Sequence, residues 1–139
     1  REGMQGALVM MGRSLGSASA LEIAGSYEGR LGGMVIDSGF AFTGPLLENL
    51  GLDPAAIGFI EENGLRNLDK IRRFHKPSLI VHGENDEIID VSEARKLYES
   101  CPAEEKRLLV IPSAGHNDLF ITGREAYRNA LRWLKERVA

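Results

Sequence analysis

The fold is decided by Ala7-Leu8-Val9-Met10-Met11-Gly12-Arg13-Ser14-Leu15-Gly16, an apolar run that ends in glycine with a serine two residues later. Small residues, Ser17-Ala18-Ser19-Ala20, follow it. This order predicts a buried strand, a very tight turn and a helix, and Gly-x-Ser-x-Gly at such a turn is the nucleophile elbow. The elbow holds the Ser14 hydroxyl clear of the sheet, and Cβ atoms at Gly12 and Gly16 are expected to collide with neighbouring elements. The N-terminus of the following helix points at the serine.

Length and composition suit a single globular domain over residues 1–139. The chain is 43% hydrophobic and 27% charged, and its net charge of −3 gives no reason to expect nucleic acid as a partner. No apolar run approaches the roughly 20 residues that span a bilayer, so no integral membrane segment is expected. The single cysteine, Cys101, cannot form an internal disulfide. We therefore expect a cytoplasmic chain.

Strands and helices are predicted to alternate along the chain. Four short apolar runs are typical of buried strands, at residues 7–11, 32–37, 77–83 and 106–111. Helices are expected over residues 15–26 and 123–138, and another is expected after Asp90, its N-cap, with Glu93 completing a capping box. The alternation predicts an α/β fold, with a mostly parallel sheet and helices on both faces.

Three residues with the chemistry of a catalytic triad follow three different strands. Ser14 follows the first strand, Asp86 the third and His116 the fourth. Because reactive groups collect beyond the carboxyl ends of parallel strands, we expect these side chains to lie together. The His116 imidazole would take the serine proton, and the Asp86 carboxylate would orient the ring and stabilise its charged form. The backbone N–H of Leu15 is the predicted donor to the oxyanion.

Other acids and histidines are weaker candidates for these roles. Asp37 ends the second strand and stays an alternative acid, whereas Asp90 is explained by capping a helix. His82 lies inside an apolar strand and is expected to be a core residue. His75 precedes that strand, at the edge of the sheet opposite Ser14. No metal-ligand spacing or phosphate-cradling loop occurs, so we expect no cofactor and no metal.

These motifs resemble those of the α/β-hydrolase-fold serine hydrolases. The resemblance is carried by residues 11–16, 81–89 and 114–118, and it extends over nearly the whole chain. The Gly-His-Asn-Asp and Asp-Glu-Ile-Ile-Asp runs are similar to those of the serine-aminopeptidase-like and protein-depalmitoylase-like branch. The resemblance implies esterase, thioesterase or lysophospholipase chemistry on a small-molecule or acyl-bearing substrate.

Members of that family carry several strands before the elbow, and a loop among them supplies a second oxyanion donor. This chain reaches Ser14 without them, so we expect it to be part of a longer protein, the C-terminal half of the fold, and inactive alone for want of that donor. Its first strand would then be a sheet edge with unpaired backbone groups. Such an edge invites pairing with another chain, which predicts self-association through it.

Residues 40–74 lie between the second and third strands, where hydrolases of this fold insert caps, and they are expected to form a small cap-like insertion. Their apolar side chains either line an acyl pocket or merely cover the sheet. The candidate substrate contacts there are Phe40, Phe42, Leu46 and Phe59. Arg13, beside the serine, either meets an anionic substrate group or pairs with a surface carboxylate.

Three functions remain open from the sequence. The first is a serine hydrolase of carboxylic esters or thioesters that works through an acyl-enzyme. The second is an aminopeptidase, whose substrate amine would be bound by one of Glu48, Glu61 and Glu62. The third is a non-catalytic binding or assembly module, which has no need of an intact Ser14, Asp86 and His116 set.

Overall fold

The computed structural model describes residues 6–138, so the predicted domain 1–139 extends beyond the described part at both ends. Its centre is a parallel sheet whose four strands lie in chain order: β1 (Val9–Arg13), β2 (Gly33–Asp37), β3 (Ser78–Gly83) and β4 (Lys106–Ile111). This confirms the predicted α/β architecture. The first strand begins two residues later than predicted and runs to Arg13, directly before the serine.

Helices connect the strands and cover both faces of the sheet. They are α1 (Gly16–Ser26), α2 (Thr43–Asn49), α3 (Asn67–Ile71), α4 (Val91–Ser100), α5 (Leu119–Thr122) and α6 (Arg124–Val138). Buried side chains of α1, α3 and α4 form one core cluster, and those of α5 and α6 form another on the opposite face. The single helical turn α5 was not predicted, because one turn is too short to show a helical period.

Side chains of β2 alternate between the two clusters, because successive residues of a strand point to opposite faces. Met34 and Ile36 pack with the cluster of α1, α3 and α4, whereas Val35 packs with α6. Every residue of β2 and β3 is buried. The carboxyl ends of these central strands therefore lie together at one edge of a close-packed sheet.

Strand β1 lies at one edge of the sheet and pairs with β2 alone among residues 6–138. The prediction of a buried strand is wrong for β1 within residues 6–138, since Met11 is 53% exposed and Val9 and Met10 are half-buried. Within residues 6–138, β1 has a neighbour strand on one side only. The edge position is the one predicted, and self-association through it stays a prediction.

The loop that follows β2 is tied to α4 by a buried carboxylate. Glu93 Oε2 accepts hydrogen bonds from the N–H groups of Ala41 and Phe42, at 2.9 and 2.8 Å. The predicted capping box is therefore half right. Asp90 caps α4 by accepting from the Ser92 N–H at 2.8 Å, but Glu93 binds the distant loop instead of its own helix end.

Candidate active site

Ser14 occupies the turn between β1 and α1 in the left-handed backbone conformation, with φ of 51°. A non-glycine residue is strained there, as an elbow requires. Its N–H donates to the Asp37 carbonyl at 2.9 Å, which holds the turn on the end of β2. A Cβ at Gly12 would lie 2.4 Å from the Ala20 Cβ, whereas one at Gly16 would meet nothing within 4 Å. The expected collision at Gly16 is therefore wrong, because the space beside it is open in the described part of the chain.

A continuous line of hydrogen bonds joins Ser14, His116 and Asp86. The Nε2 atom of His116 lies 2.9 Å from the Ser14 Oγ, and its Nδ1 lies 2.8 Å from the Asp86 Oδ2. The carboxylate only accepts, so Nδ1 carries the hydrogen and Nε2 faces the hydroxyl as an acceptor. In this arrangement the imidazole can receive the serine proton while the carboxylate balances the resulting charge.

The Asp86 carboxylate is buried and fully hydrogen-bonded. Its Oδ1 accepts from the N–H groups of Ile88 and Ile89 at 2.9 and 2.8 Å. Burial raises the pKa of this carboxyl group, but hydrogen bonds from His82, the Ile89 N–H, His116 and the Ile88 N–H outweigh burial and hold the pKa well below its ordinary value. Asp86 therefore stays ionised beside the imidazole.

His82 is buried, as predicted, but its ring also contacts the acid. Its Nε2 lies 2.7 Å from the Ile89 carbonyl oxygen and 3.3 Å from the Asp86 Oδ2. Both partners only accept, so Nε2 carries the hydrogen, and Nδ1 is a buried atom that finds no partner within residues 6–138. The sequence could not show this contact, because it depends on the turn that folds residues 83–89 back over the end of β3.

Asp37, the alternative acid, makes different contacts. Its Oδ2 accepts from the Tyr127 hydroxyl at 2.7 Å, and its Oδ1 accepts from the Ser38 hydroxyl at 2.7 Å. Burial raises the pKa of Tyr127, and the hydrogen bond to the Asp37 carboxylate and the charge of that group raise it further. The imidazole of His116 is bonded to Asp86 instead. His75 is exposed beside Glu28, away from this edge.

The Arg13 side chain is tied to the protein. Its Nη2 donates to the carbonyl oxygen of His116, and its Nε lies 3.8 Å from the Asp37 Oδ1. Of the two alternatives, pairing with a carboxylate is the one seen, although the partner is the buried Asp37 instead of a surface group, and a contact with substrate stays a prediction. The register of the sheet explains the pairing, because Arg13 and Asp37 are direct partners in neighbouring strands.

The loop that presents His116 is held by two acidic side chains that the sequence did not single out for this purpose. Glu87 Oε2 accepts from the His116 N–H at 3.2 Å, and Asp118 Oδ1 accepts from the Gly115 N–H at 2.7 Å. Both carboxylates accept from backbone N–H groups, which every residue except proline carries. Their role therefore leaves no pattern in the sequence.

The predicted oxyanion donor, Leu15, lies at the N-terminus of α1. Its side chain is 65% exposed, and its N–H has no acceptor within the described residues. That donor is thus available at the mouth of the elbow. The second donor was expected from a loop after an earlier strand, and no strand precedes β1 in residues 6–138.

Three of the four predicted cap contacts lie together, and the fourth does not join them. Phe40 and Leu46 are buried with Ala18 and Ile89. Both phenylalanines, Phe40 and Phe42, line a cleft of about 140 Å³ between α2 and α4, together with Leu46, Ile88 and Ile89. Phe59 packs elsewhere in the segment, where a Cβ at Gly64 would lie 3.0 Å from its ring.

Neither a metal centre nor a membrane span is found in the described part of the chain. Among residues 6–138, no three His, Cys, Asp or Glu side chains are grouped so that they could hold a metal ion. Over the same residues, no helix combines the length and the apolar character needed to cross a bilayer.

The chain is similar in sequence to a family of hydrolases and to several longer proteins. The family described as Serine aminopeptidase, S33, matches residues 61–120, a stretch that contains Asp86 and His116. Alpha/beta hydrolase domain-containing protein 17C of Xenopus tropicalis is 31% identical over 130 residues, which are 93% of this chain and 37% of that protein. A Saccharomyces cerevisiae protein described as an uncharacterized membrane protein is 34% identical over 121 residues, 82% of this chain and 41% of that protein. The chain thus spans about two fifths of these relatives.

Solved structures share the fold at low sequence identity. The esterase domain of a Rhodothermus marinus protein superposes with a TM-score of 0.72 at 22% identity, over 94% of this chain and 61% of that chain. A monoacylglycerol lipase of Paleococcus ferrophilus gives 0.68 at 19% identity, over 93% and 68%. A Pyrococcus furiosus esterase gives 0.74 at 18% identity, over 96% and 55%.

Proposed function

We propose, from the premise that this chain is an α/β-hydrolase-fold protein, that it hydrolyses carboxylic ester or thioester bonds through an acyl-enzyme. One observation carries the proposal: the imidazole of His116 lies 2.9 Å from the Ser14 Oγ and 2.8 Å from the Asp86 Oδ2. A hydroxyl at a strained turn, a base within hydrogen-bond reach and a buried acid behind the base are the parts that nucleophilic acyl transfer requires.

In the proposed reaction, the Ser14 Oγ attacks the acyl carbonyl carbon as its proton passes to the His116 Nε2. The N–H of Leu15 donates to the oxygen that becomes negative. The tetrahedral intermediate collapses, the bond to the leaving alcohol or thiol breaks, and His116 gives that group its proton. A water molecule then attacks the acyl-enzyme, with His116 taking one of its protons, and the acid and the Ser14 hydroxyl are regenerated.

The environment of Asp86 suits the supporting role. Burial raises the pKa of its carboxyl group, but hydrogen bonds from His82, Ile89, His116 and Ile88 lower it by more, so Asp86 enters the reaction ionised. An ionised partner fixes the hydrogen of the imidazole on Nδ1 and stabilises the imidazolium that forms when Nε2 is protonated.

The chain is proposed to be a single domain in which a cap-like insertion, residues 40–74, determines which acyl groups are accepted. The cleft is apolar where Phe40, Phe42 and Leu46 line it and where it borders Ile88 and Ile89, whose N–H groups hold Asp86, and its remaining lining is mostly polar, with Asn49, Asp90, Ser92, Glu93 and Lys96. An acyl chain is the kind of group that such a lining stabilises by burial. The leaving group is proposed to face the open side of the elbow.

The contacts of Glu61 favour an ester over a peptide amine. Its two carboxylate oxygens accept from the N–H groups of Thr43 and Gly44 at 2.7 and 2.8 Å, so Glu61 serves the backbone of its own segment and is the weakest of the three amine-binding candidates, Glu48, Glu61 and Glu62. A non-catalytic module is disfavoured, because a binding or assembly role gives no reason for Ser14 to be held in a strained conformation beside a correctly oriented imidazole.

Labelling of the full-length natural protein with a fluorophosphonate probe tests the proposal. The probe is expected to modify the wild type and the control S19A, in which an exposed serine of α1 is removed, but not S14A. Turnover of nitrophenyl esters and acyl thioesters should fall by about 10³-fold or more in S14A alone. A folded wild type that neither reacts nor turns over would contradict the proposal.

A further inference from the structure

We propose that Arg13 is a positioning residue, which holds the main chain of His116 against the elbow and is itself held by Asp37 and Tyr127. The inference rests on the proposed function, because it concerns the placement of the general base. It assigns to Arg13 a task other than the substrate contact or surface pairing that the sequence suggested.

The sheet brings Arg13, Asp37 and Tyr127 together. Arg13 is the last residue of β1, and it is in register with Asp37, the last residue of β2. Asp37 shares a face of β2 with Val35, which packs in the same cluster as Tyr127 of α6. The ends of two strands and one helix therefore meet directly beside Ser14, the residue that follows Arg13.

The polar contacts form an unbroken line from α6 to the base. The Tyr127 hydroxyl donates to the Asp37 Oδ2 at 2.7 Å. The Asp37 Oδ1 faces the Arg13 Nε at 3.8 Å and accepts from the Ser38 hydroxyl at 2.7 Å. The Arg13 Nη2 donates to the carbonyl oxygen of His116. A charged donor makes the last of these contacts stronger than an ordinary backbone hydrogen bond.

His116 is held from both sides of its main chain. Its N–H donates to the Glu87 Oε2 at 3.2 Å, and its carbonyl accepts from Arg13. Because Arg13 is bonded in sequence to Ser14, its guanidinium links the strand that carries the nucleophile to the loop that carries the base. A shift of about 1 Å in such a geometry lowers the rate by about 10²-fold. Arg13 does this without taking part in proton transfer, since it contacts the carbonyl and not the ring.

A substrate-binding role predicts a different kinetic result. The Arg13 side chain is 45% exposed, so an anionic substrate group could reach it. If binding were its task, removal of the guanidinium would raise KM for anionic esters and leave kcat for neutral esters unchanged. A positioning role lowers kcat for neutral and anionic esters alike and leaves KM nearly unchanged.

The test uses the full-length natural protein with R13A, R13K and Y127F, and with R132A as the control for loss of an exposed arginine. On a neutral nitrophenyl ester, R13A is expected to lower kcat by about 10- to 100-fold with little change in KM, and its fluorophosphonate labelling should slow by the same factor. Free guanidinium at millimolar concentration should restore part of the rate. R132A should match the wild type, because Arg132 is exposed and donates to Asn129 of its own helix, away from Ser14 and His116.

R13K and Y127F keep the inference testable if R13A does not fold. R13K keeps a charged donor but loses the fork that reaches both partners, so its kcat should lie between those of the wild type and R13A. Y127F should lower kcat by a smaller factor, and the double variant should fall no further than R13A. A KM effect alone, an unchanged R13A, or no rescue by guanidinium overturns the inference. A wild type that is not labelled at Ser14 overturns the proposed function instead.

Discussion

Replacement of Asp86 by Asn is expected to stop proton transfer from Ser14 to His116 while it keeps the contacts of Oδ1, and the Oδ2 contacts with His116 and His82 are the ones that change. The amide oxygen can still accept from the N–H groups of Ile88 and Ile89, as the Asp86 Oδ1 does at 2.9 and 2.8 Å. The amide nitrogen then faces the His116 Nδ1 in place of the Oδ2 that lies 2.8 Å from it. Two N–H donors cannot bond to each other, so Nδ1 must lose its hydrogen and Nε2 must carry it.

The size of the expected loss in kcat follows from that tautomer of His116. With the hydrogen on Nε2, the ring donates to the Ser14 hydroxyl and cannot take its proton, and no negative charge balances an imidazolium. Loss of both effects is expected to reduce kcat by about 10⁴-fold, which corresponds to about 5 kcal/mol of transition-state stabilisation. Binding contacts are untouched, so KM should stay within about twofold of the wild type.

Stability should change in a way that depends on pH. Burial raises the pKa of Asp86, but the hydrogen bonds it accepts lower it by more, so its native pKa is below that of the unfolded chain. The wild type therefore gains stability above the ordinary carboxyl pKa of about 4, and loses it as pH falls toward the lower native pKa. D86N lacks this contribution, and its stability should vary less over the same acidic window.

Steady-state kinetics and urea unfolding of the full-length natural protein measure both effects, with D37N as the matched control. D37N removes another buried carboxylate of this edge and should lose no more activity than R13A, far less than D86N, because Asp37 contacts Arg13 and Tyr127 and not the imidazole. A D86N protein that is folded and keeps a tenth of the wild-type kcat, or a D37N protein that loses as much as D86N, would refute the reasoning.

The remaining predictions concern the elbow and the far end of the polar line. G12A should lose about 1–3 kcal/mol of unfolding free energy, because its Cβ would lie 2.4 Å from that of Ala20. G16A should be neutral or slightly stabilised, because its Cβ would meet nothing within 4 Å. Urea unfolding compares the two variants, and equal losses of unfolding free energy would contradict the packing explanation. Burial and Asp37 raise the native pKa of Tyr127, so above pH of about 10 the unfolded chain loses a proton that the native chain keeps. The unfolding free energy of the wild type should therefore fall by up to about 1.4 kcal/mol per pH unit more than that of Y127F, and parallel curves would contradict this.

The sequence was sufficient for the parts that follow from local pattern and sheet topology. Four apolar runs located the strands, and a serine between two glycines located the turn. The rule that parallel strands end at one edge then placed Ser14, Asp86 and His116 together, although 102 positions separate the first from the last.

The sequence was insufficient where a side chain binds backbone groups of a distant segment. Glu93 has the spacing of a capping box, yet its carboxylate binds the loop after β2, where two N–H groups need an acceptor. His82 was assigned to the core because apolar residues surround it in sequence, and only the folded turn brings its Nε2 within 3.3 Å of Asp86. The exposure of Met11 was missed because burial of a strand depends on its neighbours in the sheet.

The central claim is that Ser14 is a nucleophile activated by His116, and peptide mapping of the probe-labelled natural protein tests it most directly. We predict a single phosphonylated residue, Ser14, with labelling that is lost in S14A and strongly slowed in D86N. Labelling that maps to any other residue, or that proceeds at the wild-type rate in D86N, would contradict it.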